Sequence, residues 1–587
     1  MESNPPNPQG CIQPFDYEGV SLGPSRWRDQ YERARDYFMA LTDDDLLKDY
    51  RERAGLPSPG KHLGGWYSGD DKGMFYSEGS FGHTFPQWLS AFARMFRAAG
   101  DDAARDKAIR LVEGWAETIS SDGYFLPGSR GSWAEYIYDK FVAALTDVAK
   151  YTGYTQALAH LERITDWALS HTNPADRKSE WYTLSENLYR AYVFTGDDLY
   201  RDFASGWHYT SMWDGLAAGQ DAFVGHHAYS HVNTLGSAAM AFAVTGERQY
   251  FDAIDNAYGI LQHHHTFATG GFGPKERFYP DEGWMGDALV DGLNWLGYPS
   301  SFETPCGCWA AFKFARYLTS FTGAAHYGDW IERLFYNGLG AALPMAGRGK
   351  TFYYSDYRMV GATKFYHAEL WPCCSGTFPI GLADYHNLIY YRDDDGLYVS
   401  LFVPSEVTWV HAGQTVHVAQ RTSFPESDRT DLIVHAPAPV TLALRIRVPS
   451  WLAGPLAAEL NGERVALQPA PGGWAELRRV WRDGDRLSVT LPMRLAFAPV
   501  DRQHPRLAAL TYGPIVLVAD RGPTWPWGET ITGDMSDPAS WIGAGEQPLT
   551  FRVLNESPSR TFRPFYVPGE GEMYWMYFAV REPRAAP

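Results

Sequence analysis

A turn built on a single glycine recurs through the first 390 residues, and this recurrence constrains the fold more than any other feature. It reads AAGDD at 98–102, YTGY at 151–154, FTGDD at 194–198, VTGER at 244–248 and FTGA at 321–324. Glycine stops a helix because it takes the left-handed conformation that closes the last turn. Apolar residues recur at helical spacing in Phe85–Arg97, Ala104–Ile119, Trp133–Tyr151, Leu184–Phe194 and Leu235–Val244. Gly100, Gly153, Gly196 and Gly246 lie 53, 43 and 50 residues apart. That period fits one helical hairpin per repeat. Hairpins of this size stack as an open solenoid or close into an α/α toroid. An open array needs polar capping repeats, so closure is the expectation.

The pattern changes near Asp393–Asp395. Leu397–Val403, Val440–Val448, Arg486–Leu491 and Ile515–Ala519 are short, apolar and alternating, and read as strands. Asn461-Gly462 and Asp483-Gly484-Asp485 read as hairpin turns. The expected organisation is an N-terminal extension over 1–30 that lends a strand to a sandwich, a helical barrel over 31–390, a β-sandwich over 391–520, and a β-rich segment over 521–587. That last segment would be a second sandwich or part of the first.

Charge and composition narrow the partners. The 51 basic and 69 acidic residues of the 587 leave a formal charge of −18, which argues against nucleic acid. No apolar run reaches about 18 residues, so no membrane span is expected. The start, MESNPPNPQG, has neither the basic nor the apolar part of a secretion signal, so the expected location is the cytoplasm. Aromatic residues make up 15% and suit a neutral polar ligand such as a sugar, although cores use them too.

Four of the five cysteines fall in two short clusters. Ser301-Phe-Glu-Thr-Pro-Cys-Gly-Cys-Trp309 carries Glu303, Cys306 and Cys308; Trp371-Pro-Cys-Cys-Ser-Gly-Thr377 carries Cys373 and Cys374. Three readings of these residues stand open: buried free thiols, a reactive thiolate, or a Zn²⁺ site of thiolates and one carboxylate. Pro372 and Gly376 would supply the bend that adjacent cysteine ligands need. Cys11 lies alone in a proline-rich leader.

The two clusters resemble those of glycoside hydrolase families 127 and 146, the β-L-arabinofuranosidases, which carry a Glu-Thr-Cys motif and a downstream Cys-Cys motif. The resemblance spans roughly residues 20–520 and extends to softer matches. These are Gly82-His83 through Leu89, His227-Ala-Tyr-Ser-His231, Gly270-Gly-Phe-Gly-Pro-Lys-Glu-Arg-Phe278, Arg445-Ile-Arg-Val-Pro-Ser-Trp451 and Tyr512-Gly-Pro514. It implies an (α/α)6 barrel followed by β-sandwich domains. It also implies Cys373 as nucleophile, Glu276 as general acid/base, and Zn²⁺ held by Glu303, Cys306, Cys373 and Cys374. His227, His231, His83, Trp88 and Tyr385 would bind substrate, and a homodimer fits the β domains. Desolvation among Phe272, Phe278 and Tyr279 would raise the Glu276 pKa. The motif departs from the family at Pro305, which separates Glu-Thr from the first cysteine. Cys308 is the alternative to Cys306 as ligand.

The expected activity is release of a terminal β-L-arabinofuranose or related pentose with retention of configuration. Two other readings use the same residues. An α/α-toroid lyase or epimerase would rely on His227 and Tyr229, and a carbohydrate-binding protein would use the cysteines as a zinc staple. By itself Glu276, between Lys275 and Arg277, reads as a solvated charge. The run His263-His264-His265 reads as structural, because consecutive helical residues point apart.

Overall fold

The computed structural model describes residues 6–68, 82–128, 133–291, 301–470, 472–520 and 530–582. The first five residues of the leader, and residues 521–529 and 583–587 of the C-terminal segment, lie outside them. Six helices form a closed inner ring: Thr84–Ala99, Ala134–Thr152, Leu184–Thr195, Ala228–Thr245, Thr304–Thr322 and Cys374–Ala383. Each packs on the next, and the last packs back on the first. The outer layer follows the inner one hairpin by hairpin, with Asp102–Ala116, Gln156–His171, Asp198–Ser205, Arg248–Ile260 and Tyr327–Asn337. The sixth outer partner comes from the start of the chain, where Arg26–Met39 packs against Cys374–Ala383.

The two layers differ in composition for a physical reason. An outer helix needs one apolar stripe, and Arg26–Met39 buries Trp27, Gln30, Tyr31, Ala34 and Phe38. An inner helix has neighbours on every side. Ala228–Thr245 is buried without a break from Ala228 to Phe242, and its small residues allow close approach. A Cβ on Gly236 would overlap the Glu186 carboxylate.

The recurrent glycines close the inner helices. Gly100, Gly153, Gly196, Gly246 and Gly323 are all left-handed, with φ between 66° and 77°. Nothing lies within 4 Å of a Cβ built on Gly153, so its requirement is conformational alone. Gly153→Ala should therefore destabilise the protein by about 1 kcal/mol, read as a lower urea midpoint with unchanged slope.

Two sheets form the sandwich after the barrel. One orders Gln13–Pro14, Tyr390–Arg392, Gly396–Val399, Val440–Arg447, Trp474–Trp481 and Gln468–Ala470. The other runs Glu463–Val465, Ala457–Leu460, Asp485–Thr490, Arg429–His435, Gln414–Thr422, Ser405–His411 and Val20–Leu22. The N-terminal stretch thus adds a short strand to each sheet. A third sheet joins strands on both sides of residue 520, with Leu517 opposite Pro564.

The β motifs fasten these sheets to the barrel. Arg447 is fully buried and pairs with Asp329 and Glu332 of the outer helix Tyr327–Asn337. Trp451 Nε1 donates to Glu332 at 2.6 Å, and Asn337 Nδ2 donates to the Pro514 carbonyl at 2.8 Å. Arg447→Ala would leave Glu332 buried without its counter-charge, at a cost of about 3–5 kcal/mol. Thermal unfolding should show a large fall in midpoint. Among the described residues no helix is long and apolar enough to cross a membrane.

Candidate active site

The six inner helices begin at the same end of the barrel, and the residues before their first turns meet there. His83, Trp133, Thr183, His227, Glu303 and Cys373 hold the cap positions. None of them caps its helix through its side chain, whereas Ser25, Asp101 and Asp197 cap outer helices in the usual way. The inner cap residues are left for other work. The converging helix N-termini also favour negative charge at this mouth.

Glu303 is fixed by a two-residue strand, Phe302–Glu303, paired with Tyr354–Ser355. Pro305 sits in the first turn of the next helix, where a missing N–H costs nothing. Cys306 follows on the face toward the mouth. Cys308 is about 200° further round the helix. Its Sγ packs against Gly338, where a Cβ would meet it at 2.6 Å. Cys308 is therefore not the alternative ligand. The bend before the cysteine pair lies at Trp371, whose φ is 53°. Its ring packs across Gly349 and its Nε1 donates to the Leu63 carbonyl. Gly376 instead makes room for a neighbour, because a Cβ there would collide with Gln87 Oε1.

Ligand atoms of Glu303, Cys306, Cys373 and Cys374 all lie within 4.8 Å of one another. Cys306 Sγ is 3.7 Å from Cys373 Sγ and 3.3 Å from Cys374 Sγ. Glu303 Oε1 is 3.3 Å from Cys373 Sγ and 3.6 Å from Cys374 Sγ. Thiolates on a tetrahedral zinc, each about 2.3 Å from the ion, stand about 3.8 Å apart. The donor set and its spacing fit such an ion. Cys373 is the one cluster sulfur that is only partly buried. Burial pushes its pKa up, but hydrogen bonds from Cys306, Cys374 and Tyr353 outweigh that and hold it well below the usual thiol range. The Tyr353 hydroxyl is 3.1 Å from its sulfur.

Glu276 stands on a short turn, Pro274–Glu276, in which both Lys275 and Glu276 have positive φ, 56° and 58°. Non-glycine residues occupy that region at a cost of about 1–3 kcal/mol, and such strain gathers at functional sites. The carboxyl is buried, and its pKa is pushed up to about 7, first by desolvation and then by the charge on Glu303. The hydroxyls that reach it come from Tyr354 and Tyr353. Of the rings expected around it, Phe272 and Phe278 stack on each other and Tyr279 stacks on Trp284.

His227 joins the two halves. Its Nε2 is 3.4 Å from Glu303 Oε2 and 3.6 Å from Glu276 Oε2. Nε2 and Glu303 Oε2 are both buried and face each other. Nδ1 binds Glu180 at 2.9 Å. Burial lowers the imidazole pKa, but Glu180 and Glu303 outweigh it and raise it well above its ordinary value.

A family model for the GH127 β-L-arabinofuranosidase catalytic domain matches residues 19–386, and one for the GH127 middle domain matches residues 396–493. The chain belongs to the GH127 β-L-arabinofuranosidase family. It is a glycoside hydrolase. Three solved structures share the fold of this GH127 chain. A GH127 β-L-arabinofuranosidase from Geobacillus stearothermophilus T6 is 18% identical, covers 96% of this chain and 100% of its own, and has a TM-score of 0.72. A second GH127 β-arabinofuranosidase is 17% identical over 98% of this chain and 100% of its own, with a TM-score of 0.72. A third, described as a glycoside hydrolase, is 14% identical over 99% and 100%, with a TM-score of 0.72. A comparison with curated proteins finds no match.

Other residues singled out in the sequence take different places in this GH127 chain. His83 is buried beside Tyr136, with ring centroids 5.7 Å apart. His231 binds the His227 carbonyl through Nδ1, and its ring packs between Tyr182 and His226. Burial pushes its pKa down to about 3, so it is neutral and orients His227. Trp88 lies behind the cysteines, stacks on Tyr67 and donates from Nε1 to the Ser375 carbonyl at 2.8 Å. It supports the site without lining it. Tyr385 is fully buried against Phe335 and donates to Gln30, away from the mouth. In the histidine run, His264 pairs with Asp281 and His265 with Asp221. Cys11 hydrogen-bonds the Phe321 carbonyl. Glu180, Tyr353 and Tyr354 are site residues that no sequence motif marks. Glu180 lies three residues before the cap of its inner helix, Thr183.

Proposed function

We propose that this glycoside hydrolase releases a terminal β-L-arabinofuranose, or a closely related pentofuranose, with retention of configuration. Cys373 is the nucleophile, Glu276 the acid/base, and Glu303, Cys306, Cys373 and Cys374 the ligands of a Zn²⁺ ion. The observation that carries the reading is an acidic, partly exposed Cys373 thiol joined through Glu303 and His227 to a carboxyl that holds its proton near neutrality. A fully enclosed zinc staple would not leave one sulfur reachable.

Bound zinc would keep the thiolates deprotonated at neutral pH and hold them in place. Cys373 Sγ attacks the anomeric carbon as Glu276 protonates the departing oxygen, giving a thioglycosyl enzyme and free alcohol. Glu276, now a carboxylate, takes a proton from water as that water attacks the same carbon, and Cys373 leaves as thiolate. His227 is placed to donate from Nε2 to a sugar hydroxyl. The carboxylates Glu180 and Glu303 disfavour an anionic sugar and suit a neutral one.

Protein purified without chelator should hold close to one zinc per chain. Chelation should abolish hydrolysis of aryl β-L-arabinofuranosides, and zinc should restore it. Full activity in zinc-free protein, or activity confined to the D-enantiomer, would overturn the proposal.

A further inference from the structure

A cavity of about 460 Å³ lies inside the barrel and extends from the last turns of the inner helices, at Tyr151, Phe194 and Phe321, toward Gln87, Glu186 and Trp309 near their first turns. Residues 8–17 form one of its walls. The cations on its lining are Arg94, Lys140, Lys150, Arg190, Lys313 and Arg316. Five of them are matched by carboxylates. Arg94 pairs with Asp147 and Asp384, and Arg190 pairs with Asp147. Lys140 pairs with Asp139, Lys150 with Asp16, and Lys313 with Glu186.

Arg316 is the exception. Among the described residues it has no hydrogen-bond or ion-pair partner, although it stands in the wall of the cavity. Asp384 Oδ1 accepts from Arg94 and from the Tyr17 hydroxyl, and its charge also acts on Arg316, but among the described residues no hydrogen bond joins the two side chains. Among the described residues six lining cations thus face five carboxylates, counting those just behind the wall, and one positive charge is left over. An unmatched charge out of bulk water is costly. The helix C-termini at the cavity carry partial negative charge, but among the described residues no backbone carbonyl accepts a hydrogen bond from Arg316. A guanidinium presents a planar fork that matches a carboxylate with two parallel hydrogen bonds. Tyr17, Tyr151, Phe194, Met240 and Phe321 supply apolar and aromatic wall around it.

We propose that this cavity is a binding site for a small organic monocarboxylate, with Arg316 taking the carboxylate and the aromatic wall taking the body. The proposal does not depend on the reading of the glycosidase mouth. One bound negative charge would complete the pairing of the lining cations.

Isothermal titration of the intact protein with D-glucuronate and with acetate, at constant ionic strength set with chloride, tests this. Saturable binding of one glucuronate per chain is expected, with Kd of about 1 mM or below, together with a rise in thermal midpoint. Acetate should compete for the same site and bind more weakly. Arg316→Met should abolish the binding while aryl-glycoside hydrolysis without added carboxylate stays unchanged. Arg316→Lys keeps the charge but loses the fork, and should weaken binding roughly tenfold. It also serves if the Met variant does not fold. Absence of saturable binding to the wild type, or equal binding by the wild type and a folded Arg316 variant, would overturn the proposal.

Discussion

Cys373→Ala should lower kcat on aryl β-L-arabinofuranosides by roughly 10⁴- to 10⁶-fold, the loss seen when a covalent nucleophile is removed. Its neighbours explain why so much rests on one sulfur. Cys306 and Cys374 are buried, whereas Cys373 is partly exposed and has the Tyr353 hydroxyl 3.1 Å from its sulfur. No second group in the cluster has both properties. Cys373→Ser should be almost as inactive, because a hydroxyl there would be a far poorer nucleophile at neutral pH. Steady-state kinetics with an activated aryl leaving group reads the loss. Near-ultraviolet circular dichroism checks that the barrel survives. A variant that folds and still turns over at more than a few per cent of the wild-type rate would remove Cys373 from the chemistry.

Glu276→Gln should lower kcat/KM by roughly 10²- to 10⁴-fold, with the larger loss on substrates whose leaving alcohol is a weak acid. The same residue sets the alkaline side of the pH profile. Its carboxyl is raised from an ordinary 4.5 to about 7, so below that pH it carries the proton it must donate. As pH rises through the shifted pKa the acid form is lost, and kcat/KM should fall. A cation held by Glu303 would cancel the second cause of the shift, the Glu303 charge. Burial, the first cause, would remain. The limb should therefore lie between 4.5 and about 7 in the loaded enzyme. In Glu276→Gln it should disappear. A limb unchanged in that variant would assign it to another group.

Much of this site was legible in the sequence because its signals are local. A left-handed glycine marks the stop of five of the six inner helices, and the two cysteine clusters stand out by spacing. The sequence could not say which way a helix faces. Cys306 and Cys308 are two residues apart, and only rotation about the helix axis puts one in the cluster and the other against Gly338. Trp88 and Tyr385 are apt residue types in apt segments, yet they point into packing instead of the mouth. Glu180, Tyr353 and Tyr354 carry no motif. Their part depends on strand pairing and ring closure that bring distant segments together. The completion of the outer layer by Arg26–Met39 was hidden for the same reason, since it and its partner Cys374–Ala383 lie more than three hundred residues apart. The Arg447 and Pro514 motifs became intelligible only as contacts between barrel and sheets.

The most direct test of the central claim is covalent trapping. The protein would be treated with an electrophilic L-arabinofuranose analogue, digested and mapped by mass spectrometry. The account predicts one label per chain, on Cys373, formed in step with loss of activity and blocked by substrate. A label on Glu303 or Glu276, or inactivation with no label on Cys373, would contradict it.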